Sequence, residues 1–215
     1  MAVLYSPQTR LERTRVAIAT HARQDLDSWK TWCTSVVTDG VGMILVTNPA
    51  FDLETMGHVL EATRQVAGKC LVGVGEPIAA QVRADVIHLK SETHSTRWNN
   101  RLVGCQVENI KQAKAALAAG CSYLVAPNTQ DSFIAEMAGL EEIHPHLVWF
   151  VSQCQTLADL ETATSLGARR VWMDSELDIA VRVWANHLRR VSRPERRAVA
   201  AELGDSFPWM HRHDT

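Results

Sequence analysis

No two of the five cysteines, at positions 33, 70, 105, 121 and 154, form a C-x-x-C pair, and their number is odd. Such a set does not read as a disulfide framework. Cys70, Cys105 and Cys121 lie in apolar runs, where cysteine behaves as a small core residue, so a reduced, cytoplasmic compartment is expected. No stretch approaches the ~18 consecutive apolar residues that a membrane span requires. Residues 1–15 carry three arginines and no apolar segment, so no secretory signal is expected there. An excess of one charge is also missing: 22 Lys+Arg against 24 Asp+Glu leave −2. Dedicated nucleic-acid binders normally show a basic excess, so that class of partner is not expected. No G-x-G-x-x-G follows the first strand-like run, which removes the usual support for an open dinucleotide-binding sheet. No Pro/Ser-rich linker interrupts the chain, so one domain is expected.

What is present is alternation. Eight short β-branched runs, at 16–20, 42–47, 70–74, 85–89, 102–105, 122–126, 147–152 and 170–173, alternate with helix-like segments. The helical readings are 25–37, 52–67, 77–83, 108–119, 131–143, 155–166 and 175–190, with a polar loop at 90–100. Near-continuous apolar strands imply a parallel sheet buried on both faces. Eight such repeats in 215 residues fit a single-domain (β/α)8 TIM barrel better than an open sheet. Gly68, Gly120 and Gly167 stand where helices should stop before strands three, six and eight. The barrel is expected over 1–192, with a C-terminal extension over 193–215.

In such a barrel the reactive groups project from the C-terminal ends of the strands. The rule selects Thr20, His21, Thr47, Asn48, Gly75, Glu76, Lys90–Thr93, Gln106, Glu108, Asn128–Gln130, Gln153, Cys154, Asp174 and Ser175. Ala84-Asp85-Val86-Ile87-His88-Leu89-Lys90-Ser91-Glu92 resembles an A-D-G-V-H-L-G-Q-E-D segment. Leu102-Val103-Gly104-Cys105-Gln106-Val107-Glu108 resembles an I-G-x-S-V-H strand, and Gly120-Cys121-Ser122-Tyr123 a G-A-D-Y. Ser175 matches the serine of a V-V-S-A segment. In that order and spacing, from about 15 to 190, these segments resemble the thiamine-phosphate synthase family, which includes the TenI-type thiazole tautomerases. The resemblance implies a TIM barrel and, in the family, magnesium-assisted coupling of a pyrimidine diphosphate with a thiazole phosphate.

The departures from the family fall on its functional positions. Its strand-three Asn-Asp lands on about Gly73 and Val74, and the Asp closing G-Q-E-D lands on Thr93. Magnesium, which wants carboxylate and water oxygens, loses its usual ligands, and Glu76 and Glu92, the only nearby carboxylates, could substitute only with a shifted loop; no cofactor and no tight magnesium site are expected. Q-L-R-E-K after strand two becomes Val46-Thr47-Asn48-Pro49, and Thr-x-x-Lys after strand six becomes Asn128-Thr129-Gln130-Asp131. The phosphate-binding Gly-Gly aligns with Gln153-Cys154, whose side chains are expected to enter that space. Asp174 brings a carboxylate before Ser175. A carboxylate facing phosphate opposes it by ~4 kcal/mol per charge pair at 4 Å and an effective dielectric of about 20.

Each candidate carries two readings. Glu108 occupies the tautomerase histidine position, as a general base in a dry pocket or as an acid in the first turn of helix 108–119. His88, at a position the family keeps as His, is a ligand contact or a hydrogen-bonded core residue. Lys90 is an anion contact or a solvated cation. Ser91–His94 are metal ligands or a turn. Gln106, Asn128, Gln153, Asp174 and Ser175 complete the candidate substrate-binding set, with Ser175 reading mainly as a helix cap. Trp29 and Trp32, three apart on one helix, should pack; Trp149 and Trp172 turn inward or outward by strand alternation. His144/His146 and His211/His213 lack a third metal ligand at a telling spacing. The arginines 189, 190, 193, 196 and 197 suit a helix end and solvent.

Three functions stay open at this point. One is a thiamine-pathway enzyme, another a barrel without chemistry that binds a ligand or partner, and the third an isomerase on an unphosphorylated molecule with Glu108 as base. All place a small molecule at the C-terminal mouth, and all admit a homo-oligomer.

Overall fold

A computed structural model describes residues 5–21, 25–47, 51–89, 101–174 and 181–191. Strands β1 (Val16–Thr20), β2 (Met43–Val46), β3 (Leu71–Gly75), β4 (Val86–Leu89), β5 (Leu102–Gln106), β6 (Tyr123–Pro127), β7 (Val148–Ser152) and β8 (Val171–Asp174) close in sequence order into one parallel barrel. Seven helices alternate with them: α2 (Leu26–Asp39), α3 (Leu53–Val66), α4 (Glu76–Ala79), α5 (Ile110–Ala118), α6 (Asp131–Ile143), α7 (Leu157–Ser165) and α8 (Val181–Val191). The chain is therefore a single-domain (β/α)8 TIM barrel. The extension 193–215, Lys90–Asn100, Asn48 and Ser175 lie outside the described residues.

Strand alternation divides the core into two shells. Ile18, Ile44, Val72, Ile87, Val103, Leu124, Trp149 and Met173 point outward to the helices. Ala17, Met43, Leu45, Leu71, Val86, Leu102, Tyr123, Val125, Val148, Phe150 and Trp172 point inward. The two-residue period thus settles the two strand tryptophans: Trp149 faces α6 and Trp172 fills the barrel. Trp29 and Trp32 stack at 5.1 Å, and the Trp29 indole N–H donates to Thr63 at 2.9 Å.

Local chemistry starts and stops the helices. Asp25, Asp52 and Asn109 accept backbone N–H groups in the first turns of α2, α3 and α5. Gly120 and Gly167 end α5 and α7 with φ of 88° and 105°, a backbone region open to glycine. Gly68 does not act this way: α3 ends on Ala67 at φ −113°, and the Cys70 N–H turns back to the Ala67 carbonyl at 2.7 Å.

One element has no counterpart in the sequence reading. α1 (Pro7–Arg13) begins at an N-cap, Ser6, whose hydroxyl accepts the Thr9 N–H, with proline in the first turn. It lies across the N-terminal end of the barrel, where Leu11 joins the inner shell at 0% exposure. Arg10 fastens it by donating to the Cys70 carbonyl at 2.8 Å and to Asp85 at 3.2 Å.

Candidate functional site

The barrel interior is filled by aromatic rings up to the level of His88. Register places Gly75, His88, Gly104 and Tyr123 side by side across β3, β4, β5 and β6. A Cβ on Gly104 would fall within the Tyr123 ring, so this glycine is what lets the tyrosine lie across the barrel. Tyr123 and Phe150 are fully buried and meet edge to face at 5.9 Å. Trp172 stacks on Tyr123 at 6.1 Å, and His88 sits over Trp172 at 4.9 Å. His88 Nδ1 and the Tyr123 hydroxyl are hydrogen-bonded at 3.0 Å.

His88 is partly exposed, whereas Tyr123 is completely enclosed, so the imidazole is the open end of this stack. Burial lowers the His88 pKa to about 4, because a charged ring would lose its hydration among apolar neighbours. The same burial pushes the Tyr123 phenol well above its ordinary range. At neutral pH this stack, the floor of the mouth, is therefore uncharged, and its polar groups are the two His88 ring nitrogens, the Trp172 indole N–H and the Tyr123 hydroxyl.

Around this floor lies a rim of main chain and small polar side chains. On one side His21 Nδ1 meets the Thr47 carbonyl at 2.7 Å, and the Thr47 hydroxyl donates to the Thr20 carbonyl at 3.2 Å. On the other, Gln106, Asn128 and Gln153 follow one another at the ends of β5, β6 and β7, with the Asn128 N–H donating to the Ser152 carbonyl at 2.8 Å. Asp174 ends β8 in register with Ala19 of β1. Lys90 and Ser175 lie outside the described residues.

Glu108 departs from both of its readings. It is exposed, and it precedes the Asn109 cap instead of entering the first turn of α5. Its backbone N–H is held by Gln112 Oε1 at 2.8 Å, which fixes the approach to the helix and leaves the carboxylate to solvent. No enclosing pocket surrounds it among the described residues.

The segment after β7 also differs in part from expectation. Gln153 is exposed at φ 62°, so a glutamine occupies a left-handed conformation that glycine adopts without cost. Cys154 does not enter the mouth: it is 3% exposed in the outer shell, and burial pushes its thiol up to about 12. The first amides beyond it are already engaged. Asp159 accepts the N–H groups of Gln155 and Thr156 at 2.8 Å each, and Thr156 accepts that of Asp159, a closed capping box. These hydrogen bonds hold the Asp159 carboxyl below its usual range. An internal carboxylate thus takes the amides that a bound anion would seek at this helix start.

For magnesium, the end of β3 supplies Gly73 and Val74 where the family has Asn-Asp, with Glu76 the described carboxylate nearby. No group of three metal-ligating side chains is assembled among the described residues. The described donor set does not fit a magnesium–pyrophosphate site. His144 and His146 are exposed at the opposite end of the barrel, beside the start of β7.

No protein-family model and no curated protein match the sequence. Solved structures do. A thiamine phosphate pyrophosphorylase from Pyrococcus furiosus superposes with a TM-score of 0.65 at 16% identity, covering 86% of this chain and 97% of that one. A 4-hydroxy-2-oxoglutarate/2-dehydro-3-deoxyphosphogluconate aldolase gives 0.62 at 18% identity, with 87% and 99% coverage. The native KDPGal structure gives 0.59 at 15% identity, with 84% and 96% coverage. The likeness is one of fold. The proteins that share it are named for two kinds of chemistry, so activity must be argued from the mouth itself.

Of this mouth, sequence reasoning singled out His88 and the rim, but not the ring stack beneath them. Tyr123 entered only through the resemblance, and Phe150 not at all. The signal was there: extending strand alternation from Val148 and Tyr123 places both rings in the same interior as Trp172.

Proposed function

We propose that the barrel is a divergent member of the thiamine-phosphate synthase-like group that binds a small, flat, unphosphorylated heteroaromatic ring at its C-terminal mouth. The single observation that carries this reading is the neutral His88–Trp172–Tyr123 floor. A flat ring can stack on the His88 imidazole, the partly exposed end of this floor, and the free imidazole nitrogen can meet one ring nitrogen or amino group. A pyrimidine without its diphosphate fits that description. Gln106, Asn128 and Gln153 stand on the adjacent rim as neutral hydrogen-bonding groups, with Lys90, Asp174 and Ser175 as further candidates. Glu108, in solvent, is assigned no proton transfer, and His88, neutral and poised, is the group left for one.

The amides of Gln155 and Thr156 after β7 are satisfied internally, and Glu76 is the one carboxylate at the described end of β3, which argues against anchoring a diphosphate. On this reading the chain does not couple a pyrimidine diphosphate to a thiazole phosphate. The test is nuclear magnetic resonance on the full chain with hydroxymethylpyrimidine. The expected result is a ring-current shift of the His88 imidazole protons that saturates with ligand and is lost in Trp172→Leu. An unmoved His88 signal, or formation of thiamine phosphate from the diphosphate and thiazole phosphate with magnesium, overturns the reading.

A further inference from the structure

Two of the five thiols face each other. Cys105, on the outward face of β5, and Cys121, just ahead of β6, have their sulfurs 3.8 Å apart beneath α5. Ala113 and Ala116, both fully buried, are the helix residues that face the sheet here. The two cysteines differ in access. Cys105 is 0% exposed, while Cys121 is 8% exposed and lines a cavity of about 610 Å³ at the N-terminal end of the barrel, beside Ser122, Leu147 and His146. No disulfide joins any of the five cysteines.

We infer that Cys105 and Cys121 form a peroxide-driven dithiol–disulfide pair, with Cys121 as the attacked sulfur and Cys105 as the resolving one. A peroxide entering the cavity meets Cys121 first. Cys121 gives up its proton and its thiolate sulfur attacks one peroxide oxygen; the O–O bond breaks, that oxygen stays on sulfur as a sulfenic acid, and the other leaves as hydroxide, which takes up the proton and becomes water. The Cys105 sulfur then attacks the Cys121 sulfur, the S–O bond breaks, and a second water departs with the Cys105 proton. The two thiols together lose two electrons, and peroxide gains them. The sulfurs must close from 3.8 Å to about 2.05 Å. Closure acts directly on the strand pair that carries the aromatic floor, since Gly104 and Tyr123 are in register one residue before Cys105 and two after Cys121.

The other thiols are less accessible than Cys121, with Cys70 4% and Cys154 3% exposed. Burial raises Cys70 to about 11 and Cys154 to about 12, so almost none of either is thiolate at neutral pH. Cys33 is fully buried.

The inference is independent of what binds at the mouth, and its test needs no ligand. The folded full chain is exposed to hydrogen peroxide, quenched with an alkylating agent, denatured and digested with trypsin. Lys111 and Lys114 separate the two cysteines into different peptides. The expected result is loss of two of the five thiols, a single cross-linked peptide pair joining 105 to 121, and full recovery with dithiothreitol. In Cys105→Ala the cross-link disappears and dimedone labels Cys121. Five alkylated thiols after oxidation, a cross-link elsewhere, or dimedone labelling of another cysteine in Cys105→Ala overturns the proposal.

Discussion

The two ends of this barrel solve opposite problems with opposite chemistry. At the N-terminal end, charge is brought in and paired. Arg170 lies against Glu141 at 3.1 Å with both side chains nearly enclosed, Glu141 also accepts the Trp149 indole N–H at 2.7 Å, and Arg10 joins Asp85. At the C-terminal mouth the described floor holds no paired charge. His88 is kept neutral, Tyr123 is kept protonated, and a glutamine sits in strained backbone. The closed end spends polar contacts on fastening α1 and α6 to the sheet. The open end leaves a partly exposed His88 and the exposed Gln106 and Gln153 at its surface, which the proposed ring binding requires.

The comparison breaks most severely at the closed end. Arg170→Ala should cost about 3–5 kcal/mol in urea unfolding, because it strands the Glu141 carboxylate beside Trp149. Pairing it with Glu141→Gln should recover much of that loss, since no unpaired charge remains. A loss under about 1 kcal/mol would mean that the pair does not hold this end together.

At the mouth the corresponding lever is pH. His88 has a folded pKa of about 4 against an ordinary value of 6.5. Between these values the unfolded state binds more protons, so stability rises with pH in that window. It should fall as pH drops from about 6.5 toward about 4, by an amount on the order of a few kcal/mol, with no further His88 contribution below. His88→Gln should flatten that part of the profile, measured as the urea midpoint against pH. An unchanged slope would mean that His88 is not held neutral.

These two ends were unequally legible in the sequence. The β-branched runs showed every strand to within two residues at either end, because a buried parallel strand needs a continuous apolar stretch. The short α1 was missed: its seven residues show no apolar periodicity, only the Ser6-Pro7 start signal. Glu108 was placed two residues too deep, because its acidic character suits either side of a cap and only Asn109, which binds the Gln112 N–H, decides the helix start. Cys154 was misdirected because the alignment with a glycine pair says where a residue stands, not which way its side chain turns. Strand alternation puts the rings inside the barrel, but which ring meets which depends on register between strands more than twenty residues apart, which no local pattern carries.

Two smaller changes sharpen the picture of the mouth. Gly104→Ala should destabilise the barrel by ~1–3 kcal/mol through overpacking against Tyr123, and Tyr123→Leu in the same chain should relieve part of it. An additive double variant would show that glycine and ring are not coupled. Gln153→Gly should stabilise by about 0.5–1 kcal/mol, as relief of the left-handed backbone exceeds the added flexibility of the unfolded chain. A loss of stability instead would mean that the glutamine side chain makes compensating contacts.

The central claim is that the mouth is built for a neutral flat ring and not for a phosphate. Its most direct test is isothermal titration calorimetry of the full chain, at one pH and ionic strength, with hydroxymethylpyrimidine and with its diphosphate, each with and without magnesium. The account predicts that the unphosphorylated ring binds at least as tightly as the diphosphate and that magnesium changes neither. A diphosphate that binds tenfold more tightly, about 1.4 kcal/mol, and does so only with magnesium, would contradict it.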